Sequence, residues 1–263
     1  ALKLYRAINA RYGSDDFLLI TYTPEADLFS EQVKTDIRTL SNKLQGIKRV
    51  SSVVTILDVP LIESPPVTLS EIQKKILTLE SPETDLELAR HELLNSPLYK
   101  NLLISDDGKT TALQVNFERD ETFHHLLTKR NELREKALTT ELTAEEKNTL
   151  RETSKKFDRY NSSLQHQQSE DIILVRQIME QHREHASLFL GGLPMIASDS
   201  IDYIRHDLMT FGIGILVFLI ILLAIIFQQA RWIVLPMLCC AVSGVTMVGF
   251  LGWVDWPVTV VSS

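Results

Sequence analysis

The sequence predicts an α+β chain: a ferredoxin-like (βαββαβ) domain with a long helical insertion, followed by a transmembrane helical hairpin. Three observations carry that expectation. Strand-like and helix-like segments follow in the order β-α-β, β-α-β, the split repeat that packs two helices on one face of a mainly antiparallel sheet. Glu121 to His185 is a long polar helical region, far more helix than the repeat needs. Leu208 to Phe227 and Ile233 to Val254 are apolar and free of charge, and each reaches the roughly 20 residues that cross a hydrocarbon core.

Asp16 to Thr23 has the β-branched and aromatic content of a first strand, closed by Pro24. Leu28, Val33, Ile37, Leu40 and Leu44 recur at helical spacing, and Gly46 supplies a stop. Arg49 to Asp58 returns as the second strand. Pro60, Pro65 and Pro66 mark a loop, and residues 68 to 103 read as short helices broken at Pro82 and Pro97. Asp106-Asp107-Gly108-Lys109 is a turn into a strand over Thr111 to Phe117. The polar region is expected to break near Thr140 and again near Asn161. Thr143-Ala144-Glu145-Glu146 has capping-box spacing, so one helix starts at Ala144. Ser169 is expected to cap the next, with an apolar stripe of Ile172, Val175, Ile178 and Met179. Leu188-Phe189-Leu190 is a short last strand ended by Gly191-Gly192.

The organisation is therefore a hydrophilic domain over residues 1–200, with the insertion at about 121–185, and a membrane region over 201–263. The spans fall at about 208–227 and 233–254, and a further span starts from about 257. A charge at a span centre costs roughly 2.5 to 3.5 kcal/mol, which disfavours the alternative of two core helices in a soluble fold. The link Gln228-Gln229-Ala230-Arg231 is too short to hold a domain, so residues 1–207 lie on one side of the membrane. Arg231 and Asp255 cancel, and the whole formal charge of −7 sits on the hydrophilic part. Such an acidic surface excludes nucleic acid and polybasic lipid-surface binding as leading roles. Cys239 and Cys240 are neighbours within a span and point about 100° apart, so they form neither a structural disulfide nor a metal pair. Arg205 and Arg231 tie under the positive-inside rule. The chain starts Ala-Leu-Lys-Leu-Tyr-Arg with no earlier span, as expected of an internal fragment of a larger polytopic protein.

Gly192-Leu193-Pro194, then Ser198-Asp199-Ser200-Ile201-Asp202 leading through Asp207-Leu208 into a span, resembles the junction between porter domain and second membrane helix in resistance-nodulation-division (RND) transporters. The closer similarity is to their MMPL-type exporters. Similar stretches are Tyr12-Gly13-Ser14-Asp15-Asp16, Gly46 to Ser52, and Gly252 to Thr259. The resemblance implies a proton-driven exporter of lipids or other hydrophobic molecules in a bacterial inner membrane, with residues 1–207 as an extracytoplasmic porter-like domain. It implies partners in the remaining spans and second porter domain of the same protein, in membrane lipids, and in an accessory protein or oligomer. The proton-relay residues are expected beyond Ser263, and this chain would run from after the first membrane helix to the start of the fourth. The alternatives are an RND-related protein-translocation helper, or a membrane-anchored sensor or scaffold with no transport activity.

The residues themselves point the same way. A proton relay needs an intramembrane acid or histidine, and the two spans contain none; Ser243, Thr246, Gly244 and Gly249 read as helix-packing positions. Pro236 reads as a tolerated first-turn proline. His182 and His185 lack metalloprotease spacing, and they and His124–His125 read as solvated helix faces rather than metal ligands. The pairs Asp15–Asp16 and Asp106–Asp107 read as turn chemistry. No Gly-rich phosphate loop is present. The expectation is no enzyme and no cofactor. Gly192 and Pro194 form the junction motif, and Asp207 with Arg205 is the candidate coupling pair where the domain meets the membrane.

Overall fold

The computed structural model describes residues 17–63, 77–227 and 230–253, without the side chains at 205, 230–233, 248 and 251. The expectations for Tyr12 to Asp16, for Pro65 and Pro66, for Gln228–Gln229 and for the span from about 257 fall outside the described residues. Two compact units divide the chain, Ala1–Ser200 and Ile201–Ser263.

The first unit is α+β with a four-stranded antiparallel sheet. Its strands are β1 (Phe17–Pro24), β2 (Val50–Val54), β3 (Thr111–Phe117) and β4 (Ala186–Gly191). They lie in the order β2-β3-β1-β4, every neighbouring pair antiparallel. Alternation along β1 sends Leu18, Ile20 and Tyr22 to one face, where all three are fully buried. Helix α1 (Glu31–Gln45) covers that face with Val33, Ile37, Leu40 and Leu44.

Two boundaries differ from the pattern-based expectation. Helix α1 starts at Glu31 rather than Leu28 because Ser30 caps it, its side chain accepting from Val33 N, while Asp27 accepts from Phe29 N at 2.8 Å. Strand β2 ends at Val54 although Ile56 and Leu57 are apolar. Asp58 there accepts from Thr55 N at 2.9 Å and from its hydroxyl at 2.6 Å, so the chain turns.

Helix α2 (Leu86–Asn95) runs between the two prolines, capped by Asp85, whose carboxylate accepts from Glu87 N and Leu88 N. Its buried Glu92 accepts the backbone N–H groups of Ile62 and Glu63 at 2.7 and 2.9 Å, and so holds the loop after β2. Helix α3 (Glu121–Thr139) pairs with the first part of α4 (Ala144–Glu180) as a projecting arm. Phe123 meets Phe157 at 5.3 Å, and the Arg130 guanidinium lies 3.8 Å over the Phe157 ring.

The capping box at Thr143–Glu146 is formed as the spacing predicts. The expected break near Asn161 and the cap at Ser169 are not: α4 is continuous for 37 residues. No Pro or Gly interrupts it, and the hydroxyls of Ser162 and Ser169 bond back to the carbonyls of Asp158 and Gln165. The far end of α4 then leaves the arm and joins the core, burying Ile172, Val175 and Met179 beside α1.

Helix α5 (Leu193–Phe227) is long and apolar enough to cross a membrane, and α6 (Ala230–Trp253) follows; because α6 starts at Ala230, Pro236 lies inside it, which corrects the reading of a first-turn proline. The expected span at Leu208 occupies only the later part of α5. The helix starts at Leu193, so the polar stretch Ser198 to Asp207 is helical as well.

Candidate functional site

The structure concentrates unusual geometry where β4 passes into α5. Gly192 adopts φ +127°, a conformation L side chains rarely take. A Cβ there would stand 2.6 Å from the Phe17 carbonyl oxygen and 3.1 Å from Leu18 Cα. The glycine therefore lets the chain leave β4 pressed against β1. Pro194 is buried in the first turn of α5, where its missing N–H forfeits no intrahelical bond. Met195 packs against the core beside it.

One turn later, α4 grips the new helix. Ser169 Oγ and Ser198 Oγ lie 2.9 Å apart. Arg176 Nη2 donates to both Asp199 carboxylate oxygens, at 2.9 and 2.6 Å. Ser169 and Arg176 stand seven residues apart, two turns on one face of α4. A cleft of about 320 Å³ opens alongside, lined by Met179, Arg183, Leu188, Phe189 and Met195 as well as Arg176. Its charges are matched: Arg176 faces Asp199 and Arg183 faces Glu180. The cleft thus offers apolar contact, with Phe189 69% exposed at its rim.

The candidate coupling pair stands apart from this cluster. Asp207 is exposed on α5, and the Arg205 side chain is outside the described residues. Within a helix, positions 205 and 207 point about 200° apart. A charged cluster at these positions needs a third group from another element.

A second polar cluster sits in the core of the first unit. Asp36 accepts from Tyr22 OH at 2.7 Å, and its other oxygen lies 2.7 Å from His182 Nδ1. Burial first, and then the bond to Asp36, hold the Tyr22 phenol well above its ordinary pKa. His182 is 4% exposed, which corrects the reading of a solvated helix face. Helix α4 ends at Glu180, so His182 lies in the turn beyond it, and its Nε2 is buried without a partner. A cleft of about 300 Å³ adjoins, lined by Tyr22, Glu25, Gln32, Asp36, Glu184 and His185. Arg49 and Asp171 pair at 3.2 Å in the same unit. Desolvation raises the Asp171 carboxyl, with Arg49 opposing it. Among the described residues no group of three or more His, Cys, Asp or Glu is placed to hold a metal ion.

Pattern reading found the junction glycine and proline but missed Ser169, Arg176, Asp36 and His182. One signal for His182 was present. The series Ile172, Val175, Met179, His182 keeps a 3-4-3 spacing, so the histidine continues the apolar stripe into the core.

Residues 159–262 match the MMPL family. The resemblance read at the junction is borne out over that stretch, which is consistent with part of an RND/MMPL-type membrane transporter; members of the family are transporters rather than enzymes. The match starts inside α4, so the similar stretches at Tyr12 and Gly46 lie before it. No curated protein matches the chain.

Proposed function

We propose that this chain is part of a proton-driven secondary exporter that moves lipids or other hydrophobic molecules out of a bacterial inner membrane. The observation that carries the reading is the extent of the MMPL match, which takes in the end of α4, β4, the junction and both apolar helices. Residues 1–200 serve as an extracytoplasmic porter-like domain, and residues 201–263 belong to the membrane bundle. The order β2-β3-β1-β4 supports a ferredoxin-like porter unit, with α1 and the end of α4 as its two helices.

Transport proceeds by alternating conformations of the porter domain, linked through α5 to proton-dependent movement of the bundle. Asp207 and Arg205 contribute to that coupling with groups from other spans, and the proton-binding residues lie beyond Ser263. The test is dye movement in inside-out vesicles carrying the full-length protein. Nile Red transport that follows an imposed proton gradient, and stops with a protonophore, is expected. Transport indifferent to the gradient, or none at all, refutes the reading.

A further inference from the structure

The first turns of α5, Leu193 to Ser200, put only part of their apolar surface into the core: Pro194 is buried and Met195 packs beside it. Leu193 and Ile196, by contrast, are 63% and 55% exposed. Two polar contacts do the rest, and both come from α4: Ser169 to Ser198 and Arg176 to Asp199. The second runs from one guanidinium nitrogen to both carboxylate oxygens and is partly exposed, at 47% and 24% side-chain exposure. A single exposed pair contributes little. This one sits near the end of a 37-residue helix whose other end forms the arm, and it lands on the first turns of the 35-residue helix α5, whose later part is apolar.

We infer that Arg176–Asp199, with Ser169–Ser198 beside it, is the positioning contact through which α4 sets the first turns of α5, and that export passes through it. The functional half rests on the exporter reading. The structural half does not.

The contact depends on complementary charge, not on which helix carries which sign. Arg176→Asp and Asp199→Arg each place like charges together, whereas the double exchange restores an opposite pair. Arg176→Gln and Asp199→Asn are milder changes for the case in which charge reversal prevents folding.

The experiment measures amide hydrogen exchange over residues 195–203 in the full-length protein in nanodiscs, together with Nile Red efflux from re-energised cells. Each single variant is expected to speed exchange in that stretch about fivefold, the scale of a well-formed surface pair, with β1 and β3 unchanged. Efflux falls in parallel, and Arg176→Asp with Asp199→Arg recovers both. Unchanged exchange in the single variants, or no recovery in the exchange pair, overturns the contact. Exchange that behaves as expected while efflux stays at the starting level overturns its role in transport. If the unaltered protein moves no Nile Red, the exporter reading falls, and the exchange data still decide the contact.

Discussion

Replacing Gly192 with alanine tests the junction most directly. The new Cβ would sit 2.6 Å from the Phe17 carbonyl oxygen, where ordinary contact begins near 3.4 Å. Both nearest atoms belong to the β1 backbone, so no side chain can rotate away. Strand β1 is held on both sides, with Leu19 opposite Gln114 of β3 and Gly191 of β4. A retreat of about 0.8 Å therefore stretches the β1–β4 ladder, at about 1 kcal/mol for each bond lost. Keeping φ at +127° with a side chain adds roughly 1 to 3 kcal/mol. The expected loss is about 3 to 4 kcal/mol. The three tryptophans all lie in the membrane region, so hydrogen exchange in β1 and β4 is the suitable assay. Exchange from the folded unit is expected to quicken by two to three powers of ten, on the order of 1.4 kcal/mol per tenfold. Gly191→Ala is the control, since its Cβ would find only Leu19 O at 3.8 Å. A Gly192→Ala protein within about 1 kcal/mol of the parent refutes the account of the junction.

Three further outcomes are expected. Asp36→Ala leaves the Tyr22 hydroxyl and His182 Nδ1 buried without their acceptor, and denaturant unfolding of the first unit is expected to show a loss of about 2 to 4 kcal/mol; a loss under 1 kcal/mol would sink this reading. Glu92→Ala releases two backbone N–H groups in the loop after β2, so limited proteolysis near Pro60 should accelerate at least tenfold, and an unchanged rate counts against the clamp. Glu146 bonds to Lys136 and to Thr143 N, which hold its carboxyl below the ordinary range. Its stabilisation is thus complete above about pH 4.3 and is lost as pH falls through the lower folded value, so amides 144–147 are expected to fray in acid, and Glu146→Gln should remove that pH dependence.

How much of this was legible depended on whether local chemistry or packing decided the feature. Strand β3 matches its expected limits because alternation and the Asp106–Gly108 turn are both local signals; Gly108 indeed takes φ +67°. The start of α4 was legible for the same reason, since a capping box is complete within four residues. Asn161 misled because a polar cluster in sequence resembles a break, while its neighbours' hydroxyls were free to bond their own helix. The early start of α5 was hidden by Ser198 to Asp207, whose polarity marks exposure rather than conformation. Gly192 could be found because a Gly-Gly pair before proline is itself a backbone statement. Arg176 could not, because its partner lies 23 residues away and only the fold brings α4 beside α5.

The continuity of α4 has a mechanical meaning. At 1.5 Å per residue the helix is a rod of about 55 Å, and its burial in the core around Ile172 and Val175 would serve such a rod as a fulcrum. About 42 Å lies on the arm side of Ile172 and about 12 Å beyond it. A partner that pushed the arm tip by some 7 Å would, for a stiff rod, move the far end by about 2 Å in the opposite direction. Insertions of a few residues into both α3 and α4 would lengthen the long side without touching the fulcrum, so arm length would act as a gear ratio adjustable without redesign of the core.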